Sequence, residues 1–337
     1  MRVLVTGANG FIGSALVARL LARGDVEVRA LVRPGSDRSR LLGLATAGGG
    51  GPEIFEGGLG SREQAADALD SVSTVFHLAA SLRGAPADMV FNTVVTSRNL
   101  LDAALGRPSP PKIVLVSSFS VYGAAALPRR QVLDERTPVD PLPLRRDAYA
   151  QVKLWQERLF WERRLERPYA LVVVRPGVVY GPGGSLLSVR VGLQLPGLFL
   201  HLGGDNLLPL SYVDNCAEAI ALCGEQEQAV GEVVNVHDDE LLTAREYLAR
   251  YRAELGAMRT VSLPYPLTLL GSHLASWYHD YSRGQLPAFV TPYKTASVWK
   301  GTRFDNRRLR SLGWRQLVPT EEGLRRTFAQ AREARRP

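Results

Sequence analysis

The stretch Val3-Leu-Val-Thr-Gly7-Ala-Asn-Gly10-Phe-Ile-Gly13 decides the fold of this chain. A short apolar run typical of a buried strand leads into three glycines, and an amphipathic helical pattern follows over 11–23. Glycines at this spacing let the chain turn sharply, let its backbone approach a pyrophosphate and let the helix pack closely on the strand. The free N–H groups at the start of the helix favour phosphate. A plain turn is the alternative, but we predict dinucleotide contacts from Gly7, Gly10, Phe11, Ile12 and Gly13.

The first half of the chain continues to alternate apolar strands with helices. Helices are predicted near 11–23, 62–70, 86–105 and 146–166, and strands at Val3–Thr6, Val26–Val32, Glu53–Phe55, Thr74–Leu78, Lys112–Ser117 and Ala170–Arg175. Such alternation predicts an α/β fold with a doubly wound, parallel sheet of the Rossmann type. We assign this domain to residues 1–180, with the later segment at about 211–240 returning to it.

The rhythm breaks after Arg175. Segments 182–210 and 260–300 are rich in proline, glycine, leucine and aromatic residues, and they lack clean periodicity. A helix is predicted at Thr243–Leu255 between them. We therefore expect residues 181–337 to form mainly a smaller, partly irregular C-terminal subdomain that binds the substrate. The run Gly48–Gly51 in the first domain is interpreted as a flexible loop.

The composition is that of a soluble globular protein. The 337 residues are 45% hydrophobic and 22% charged, and no apolar run is long enough to cross a bilayer. The apolar run at the N-terminus is too short for a signal peptide, so we expect a cytoplasmic protein without a membrane span. The two cysteines, Cys216 and Cys223, are expected to be reduced core residues. We expect no metal site.

The net charge of +8 is concentrated near the C-terminus. Segment 303–337 holds ten arginines against four acidic residues. Leucines and Phe328 recur among these arginines at helical spacing, which indicates the solvated faces of amphipathic helices. Nucleic acid is therefore not the expected partner, and a small-molecule substrate is.

The end of the second predicted strand distinguishes the two nicotinamide cofactors. An acidic residue there would bind the ribose 2′-hydroxyl of NAD, but this chain reads Leu31-Val-Arg33-Pro34. A guanidinium binds a 2′-phosphate through paired, charge-assisted hydrogen bonds. We therefore predict NADP rather than NAD, with Arg33 as the selecting residue. An ordinary exposed arginine is the alternative.

A tyrosine and a lysine lie one helical turn apart in Tyr149-Ala-Gln-Val-Lys153. A nearby positive charge favours the phenolate, so we expect Lys153 and the nicotinamide to lower the pKa of Tyr149 and fit it for acid–base work. The fifth strand ends in Val116-Ser-Ser118, where ligands bind in open α/β folds. The Ser118 hydroxyl is a candidate donor to a substrate carbonyl oxygen, although serines also simply cap strand ends.

In their order and separation these motifs resemble the extended short-chain dehydrogenase/reductase superfamily, within its NAD-dependent epimerase/dehydratase family. The resemblance rests also on His77-Leu-Ala-Ala80 and on Arg175-Pro-Gly-Val-Val-Tyr-Gly-Pro182. It implies that Tyr149 is the catalytic acid/base, assisted by Ser118 and Lys153. Lys153 and Tyr149 are also expected beside the cofactor, together with Leu59, Ala79, Ala80, Pro176 and Val179. Candidate substrate contacts are Ser81, Ser118, Ser120 and Tyr180.

Departures from the family pattern concern the substrate. Phe119 and Ser120 stand where dehydratases have an Asp–Glu pair, so dehydration is not expected. Val178 and Leu208 replace an asparagine and a phosphate-binding arginine that are usual in nucleotide-sugar epimerases. The chain is more similar to dihydroflavonol reductases and hydroxysteroid dehydrogenases. Aromatic residues of segment 263–299 form either an apolar substrate wall or the subdomain core: Trp277, Tyr278, Tyr281, Phe289, Tyr293 and Trp299.

The expected activity is an NADP(H)-dependent interconversion of a secondary alcohol and a ketone. The alternatives are a nucleotide-sugar epimerase that keeps NAD bound and a non-catalytic, NADP-sensing protein. We also expect a homodimer, because Leu154, Trp161 and Leu165 fall on the face of helix 146–166 opposite the Tyr149 face, which a monomer would expose to water. The superfamily commonly pairs this helix and helix 86–105 with their symmetry mates, although cover by the C-terminal subdomain is the alternative.

Overall fold

The computed structural model describes residues 1–44, 50–282 and 291–335. Part of the predicted Gly48–Gly51 loop and the aromatic residue Phe289 lie outside these ranges. The strands are, in chain order, β1 Arg2–Thr6, β2 Glu27–Val32, β3 Glu53–Glu56, β4 Thr74–His77, β5 Lys112–Val116, β6 Val132–Leu133, β7 Leu171–Pro176, β8 Val178–Tyr180, β9 Gly192–Leu195, β10 Leu198–His201, β11 Leu210–Tyr212, β12 Val233–Val236, β13 Thr260–Ser262 and β14 Arg303–Phe304.

Helices separate most of these strands. They are α1 Phe11–Arg23, α2 Ser39–Leu42, α3 Arg62–Ala68, α4 Pro86–Val90, α5 Thr96–Leu105, α6 Ala148–Glu166, α7 Val213–Glu225, α8 Ala244–Leu255, α9 Tyr265–Tyr281, α10 Pro292–Trp299, α11 Arg307–Ser311 and α12 Thr320–Glu333. A π-helical turn, Phe91–Val95, joins α4 to α5, so the helix predicted over 86–105 is interrupted. The predicted bounds of the other helices and strands of the first 180 residues hold to within about two residues.

The central sheet has seven parallel strands in the order β12-β7-β5-β4-β1-β2-β3. The predicted doubly wound Rossmann sheet is therefore confirmed. The order reverses between β1 and β4, where Thr6 pairs with His77. In open α/β sheets the ligand crevice lies at the carboxyl ends of the strands at this point. The glycine loop after β1 and the segment after β4 therefore meet at one edge.

Two apolar cores cover the two faces of the sheet. On one face, α1 and α7 pack together, and their core includes both cysteines, which are free and fully buried as predicted. On the other face, residues of α3, α5 and α6 pack on the sheet. A third core lies in the C-terminal part, among β8, β10, β11, α8 and α12. Strands buried on both sides explain the continuous apolar runs that the sequence shows.

Segment 260–300 is more regular than predicted, because it contains α9 and α10. Its leucines and aromatic residues include large side chains that are exposed on α9, among them Leu270 and Leu274, which are 57% and 58% exposed. A helix that leaves apolar residues in solvent does not show the usual separation of apolar and polar faces. For this reason, the lack of helical periodicity in the apolar residues did not indicate an irregular segment.

The last part of the described chain returns to the first core. β14 pairs with β6, and Leu309, Leu312 and Trp314 join the core beneath α1 and α7. The predicted amphipathic pattern of the arginine-rich segment is confirmed by these buried leucines and by Phe328, which is 1% exposed. Within the described residues, no helix combines the length and apolar character needed to span a bilayer.

The face of α6 predicted to be exposed is largely covered. Leu154 is 6% exposed, and Trp161 is half-buried against the α3–α5–α6 core, so the prediction that both face water was wrong. Leu165 alone of the three is open, at 86% exposed. The prediction considered only the side of α6 that packs on the sheet. The helices at 86–105 also contact α6, so more of its surface is buried than the sequence pattern indicates.

Candidate active site

The glycine loop forms a cradle that a side chain would fill. Gly7 has a φ of +68°, and the Gly10 N–H donates to the Gly7 carbonyl oxygen at 3.0 Å. A Cβ on Gly13 would lie 2.1 Å from that same oxygen, so only glycine fits there. Among the described residues, no side chain caps α1 at Gly10. Its first N–H groups are thus available to phosphate, and the cradle fits a dinucleotide pyrophosphate.

Arg33 lies just beyond β2 and is exposed. Its carbonyl oxygen accepts hydrogen bonds from the N–H and hydroxyl of Ser36, which fixes the local turn. The nearby Arg38 is engaged in an ion pair with Glu56. Within the part of the chain that the structure describes, the Arg33 guanidinium has no hydrogen-bond or ion-pair partner. It remains available to a ligand.

Tyr149 and Ser118 meet at the carboxyl edge of the sheet. Asp147 caps α6 by accepting from the Ala150 N–H at 3.3 Å, which places Tyr149 in the first helical turn. Ser118 follows β5, and its hydroxyl accepts from the Ser120 N–H at 3.1 Å. The hydroxyl proton of Ser118 is still free to be donated, because a hydroxyl accepts and donates at once. The structure thus allows both the capping role and the polarising role that the sequence left open.

Burial raises the pKa of Tyr149 above its usual value, and the neighbouring Ser118 hydroxyl opposes this rise only in part. Lys153 by itself does not lower this pKa, and the lowering expected from Lys153 together with the nicotinamide stays a prediction. The Lys153 ammonium is committed elsewhere. It donates to the Val116 carbonyl oxygen at 2.7 Å and to Gln156 Oε1 at 2.5 Å. Burial also lowers the pKa of Lys153 to about 7, which weakens its charge at neutral pH.

A buried polar chain continues from Lys153 to the glycine loop. Gln156 Nε2 donates to the Ser97 hydroxyl at 2.8 Å, and the Ser97 Oγ lies 2.8 Å from His77 Nε2. His77 Nδ1 in turn lies 2.8 Å from the Thr6 hydroxyl oxygen. Thr6 Oγ1 also accepts from the Ala79 N–H at 3.1 Å. The chain therefore ties α6 to the ends of both β1 and β4, where a cofactor is expected.

An ion pair lies behind the proposed catalytic residues. Glu157 accepts from Arg175 Nε at 3.1 Å and from the Ser117 hydroxyl at 2.5 Å, and all three side chains are buried. Arg175 also stacks over the Tyr122 ring, 4.5 Å from its centroid. Buried charges need such complete pairing. The pair fixes the position of α6 relative to the ends of β5 and β7.

The remaining residues predicted to contact cofactor or substrate differ in their exposure. Ala79, Ala80 and Ser81 follow β4 and are partly exposed at the crevice, whereas Leu59 and Pro176 are buried. The Ser81 hydroxyl donates to the Arg83 carbonyl oxygen at 2.9 Å. Val179 is half-buried on β8. Their roles toward the cofactor and substrate stay predictions.

The prediction of a substrate contact from Tyr180 is corrected by the structure. Its side chain is 1% exposed and packs edge-on against Tyr212 in the third core. Its hydroxyl lies 3.4 Å from Asp238 Oδ2, so the polar end of the ring also points into the interior. Tyr180 is a core residue because β8 turns it away from the crevice.

A cavity of about 220 Å³ opens beside Tyr149. Of the catalytic and substrate-binding residues predicted from the sequence, Ser120 and Tyr149 line this cavity. Most of its other lining residues come from α10 and from segment 182–210, in which the sequence indicated no site residue except the aromatic candidates. The further lining residues are Arg146, Asp147, Val189, Arg190, Leu193, Leu202, Thr268, Lys294, Thr295, Ser297, Val298 and Trp299.

Sequence reasoning missed the basic residues of this cavity. One arginine in a chain with 41 lysine and arginine residues carries no pattern of its own. Of the aromatic candidates, Trp299 lines the cavity, and Tyr293 packs under the Arg146 guanidinium at 4.4 Å from its ring centroid. Trp277, Tyr278 and Tyr281 are instead exposed on α9.

A family comparison agrees with this arrangement of loop, sheet and Tyr–Lys pair. Residues 3–236 match the model of the NAD dependent epimerase/dehydratase family. The chain belongs to this family. It is therefore an enzyme of the extended short-chain dehydrogenase/reductase type, an oxidoreductase built around a nicotinamide dinucleotide.

Two relatives match almost the whole chain. A 3-diazoavenalumate denitrifying reductase of a Streptomyces species is 30% identical over 335 residues, covering 90% of this chain and 96% of its own. A 2-alkyl-3-oxoalkanoate reductase of Stenotrophomonas maltophilia is 26% identical over 346 residues, covering 98% and 99%. The solved UDP-glucose 4-epimerase of Thermus thermophilus with NAD gives a TM-score of 0.71 at 24% identity, covering 99% and 100%. This last likeness shows the shared fold.

Proposed function

We propose that this family member interconverts a secondary alcohol and a ketone with NADP(H). The observation that carries the proposal is that Tyr149 lines the cavity next to Ser118, while the buried Lys153 lies one turn further along the same helix. The similarity to reductases over nearly the whole chain supports it. The replacement of the epimerase residues by Val178 and Leu208 counts against a sugar nucleotide.

The residues of this chain divide the work of reduction. When bound, the reduced nicotinamide supplies the hydride that reaches the carbonyl carbon. Tyr149 donates its phenolic proton to the carbonyl oxygen, which becomes the alcohol oxygen as the C=O π bond breaks. Ser118 donates a hydrogen bond to the same oxygen as its negative charge grows. Lys153, once it carries its proton, contributes positive charge that stabilises the phenolate remaining on Tyr149.

The raised pKa of Tyr149 suits this direction. A phenol that is protonated at neutral pH is ready to act as an acid toward a ketone. In the reverse direction the phenolate must form first, and Lys153 must regain its charge. A bound dinucleotide diphosphate brings negative charge to the neighbouring loop, which favours the protonated lysine.

Replacing Tyr149 by phenylalanine tests the proposal. The phenolic proton is lost and the ring is kept, so we expect kcat to fall by about 100- to 10,000-fold with cofactor affinity nearly unchanged. Steady-state kinetics on a ketone substrate and fluorescence titration of NADPH measure both quantities. A variant that kept more than about a tenth of the wild-type kcat would show that Tyr149 is not the proton donor.

We propose NADP as the preferred cofactor, supported by the Arg33 guanidinium, which has no partner among the described residues, and by the lack of an acidic residue at the end of β2. We also propose a homodimer formed through α6 and the helices at 86–105. Phe91 in the π-helical turn is 48% exposed, and Leu165 at the end of α6 is 86% exposed. The proposal therefore rests on Phe91 and Leu165, and no longer on Leu154 and Trp161.

A further inference from the structure

The cavity beside Tyr149 has a basic lining. Arg146, Arg190 and Lys294 face it, against one acidic lining residue, Asp147. Lys294 Nζ lies 3.4 Å from Asp147 Oδ2, so these two charges offset each other. Arg146 Nη1 lies 3.0 Å from Asp140 Oδ2, in a pair whose side chains are both less than a tenth exposed. Two of the three cations are thus compensated.

Arg190 is the exception. Among the residues that the structure describes, its guanidinium has neither a hydrogen bond nor an ion pair. Burial and the charge of the neighbouring Arg146 lower the pKa of Arg190 to about 10, which still leaves it charged at neutral pH. Holding an unpaired guanidinium in a half-buried position costs free energy. A ligand anion would remove that cost.

Further polar atoms of the same cavity are also unsatisfied. Ser120 Oγ, Thr295 Oγ1, Trp299 Nε1 and Arg146 Nε are buried and have no hydrogen-bond partner within residues 1–44, 50–282 and 291–335. Most buried polar groups in proteins are hydrogen-bonded, so a cluster of four marks a place where a partner is expected. All four can donate a hydrogen bond, which suits oxygen atoms that only accept.

Aliphatic side chains make up much of the remaining lining, and its polar members Thr268 and Ser297 have hydroxyls that already donate to backbone carbonyl oxygens. Val189, Leu193, Leu202 and Val298 contribute aliphatic side chains beside the Trp299 ring. The lining thus combines two paired cations, aliphatic side chains and one cation, Arg190, without a described partner. This combination matches a molecule with one negative charge on an apolar body. A nucleoside diphosphate would bring more negative charge than the single free cation of the described lining offsets.

We propose that the substrate carries a carboxylate on an apolar carbon skeleton, and that Arg190 binds this carboxylate in the cavity that Tyr149 also lines. This inference rests on the oxidoreductase function proposed above, and it names the substrate class as oxo acids and their hydroxy acids. Arg190 is then a residue that determines specificity, since it recognises the acid group and takes no part in hydride or proton transfer.

Ligand binding tests the inference without any turnover. Decanoate, its neutral match decanamide, and UDP are titrated by calorimetry into protein saturated with NADP⁺ or NAD⁺. We expect decanoate to bind more tightly than decanamide, and Arg190→Met to weaken decanoate about 10- to 100-fold while leaving decanamide unchanged. Arg190→Lys keeps the charge and should retain part of the preference. Arg310→Met, at an exposed arginine outside the cavity, is the matched control and should behave as wild type.

Three outcomes would overturn the carboxylate site. These are equal binding of decanoate and decanamide by the wild type, unchanged decanoate affinity in Arg190→Met, and UDP binding that is tighter than decanoate binding and lost with Arg190. Reduction of 4-oxo and 5-oxo fatty acids and of their methyl esters separates the two proposals. Equal kcat/KM for acids and esters contradicts the carboxylate site alone. No reduction of either, with Arg190-dependent decanoate binding intact, supports the site and counts against the ketone-reducing function.

Discussion

His77 is held at the end of β4 with both ring nitrogens within hydrogen-bonding distance of hydroxyl groups, those of Thr6 and Ser97, at 2.8 Å each. It is fully buried, and burial lowers its pKa to about 3, with the charge of Lys153 contributing less. An imidazolium could not be accommodated there, because it would lack solvent and lose an acceptor nitrogen. The folded protein therefore keeps His77 neutral down to acidic pH.

This burial predicts an acid-dependent loss of stability. Between pH 6.5 and pH 3 the unfolded chain protonates His77 and the folded chain does not, so the free energy of unfolding falls as the pH falls. From pH 7 to pH 5 the contribution of His77 is about 2 kcal/mol. Urea unfolding at both pH values should show a smaller drop for His77→Asn than for wild type, since other titrating groups act alike in both. Equal drops would contradict the prediction.

Cofactor selection is a second prediction that depends on one residue. In Arg33→Ala we expect NADPH affinity to fall by about 1.5–3 kcal/mol, the usual contribution of a charged hydrogen bond, with NADH affinity unchanged. Titration of both cofactors against wild type and variant measures this difference. The neighbouring Arg38→Ala is a useful control, because Arg38 is already paired with Glu56. If Arg33→Ala weakens both cofactors equally, Arg33 does not recognise the 2′-phosphate.

Spacing along the chain identified Tyr149 and Lys153, since one helical turn is a local relation. The partners of Lys153 were beyond such reasoning. His77 and Ser97 lie 79 and 59 residues from Gln156, and nothing in the sequence marks Gln156 as their meeting point. Arg190 is a similar case, because its proposed role rests on the absence of an ion-pair partner among the residues that the structure describes. Whether a charged side chain has an ion-pair partner can be read only from the folded structure.

The first strand, glycine loop and α1 form an element whose geometry depends on glycine. A Cβ at Gly13 would lie 2.1 Å from the Gly7 carbonyl oxygen and 3.0 Å from the Ala8 Cα. Helix and loop would have to separate, which would move the N–H groups that we expect to face the pyrophosphate. Sequence predicted this element fully, because strand, glycines and helix are consecutive and each requirement is local.

We therefore expect Gly13→Ala to lower both stability and cofactor affinity, each by about 1–3 kcal/mol. Gly43→Ala is the matched control, since Gly43 has an ordinary φ of −85° and a Cβ there meets nothing within 4 Å. Thermal unfolding and NADPH titration of the two variants make the comparison. Wild-type cofactor affinity in Gly13→Ala would show that the cradle does not hold the pyrophosphate.

α9 shows the limit of pattern reasoning at the level of elements. Leu267, Leu270, Leu274 and Trp277 are each more than half exposed, so this helix lacks the apolar–polar division that reveals a helix in sequence. The α6 helix shows the opposite case. The helical periodicity suggested an open apolar face, but Leu154 on that face is only 6% exposed. Which face of a helix is buried depends on its neighbours as well as on its sequence.

At the scale of the whole molecule, the dimer proposal predicts a self-association that depends on Phe91. Sedimentation equilibrium at tens of micromolar should show a wild-type dimer, because a two-fold axis makes one apolar patch serve both partners. Phe91→Glu should shift the protein to monomer, since it would place two charges in the contact. Leu195→Glu, at a leucine on β9 that is 41% exposed, should leave the association unchanged. A monomeric wild type, or a dimeric Phe91→Glu, would reject this interface.

The overall architecture was predictable for the Rossmann part and less so for the rest. The parallel sheet follows from local alternation, whereas the path of segment 303–335 depends on contacts with distant residues. Sequence assigned this segment to the substrate subdomain, yet Leu309 and Trp314 complete the core of the first domain. The sequence indicated a return to the first domain only for about 211–240, because no local pattern shows that Leu309 and Trp314 contact that distant core.

Asn215 at the start of α7 makes that return part of one folding unit. Its side-chain oxygen accepts from the Leu317 and Val318 N–H groups at 3.1 and 2.9 Å, and its amide donates to the Val318 carbonyl oxygen at 2.9 Å. Its own carbonyl oxygen accepts from Trp314 Nε1 at 3.2 Å. Local opening of 314–318 would strip the buried Asn215 of these partners, so the two segments open and close cooperatively. Their amide hydrogens should exchange with solvent together, at the rate set by the central sheet.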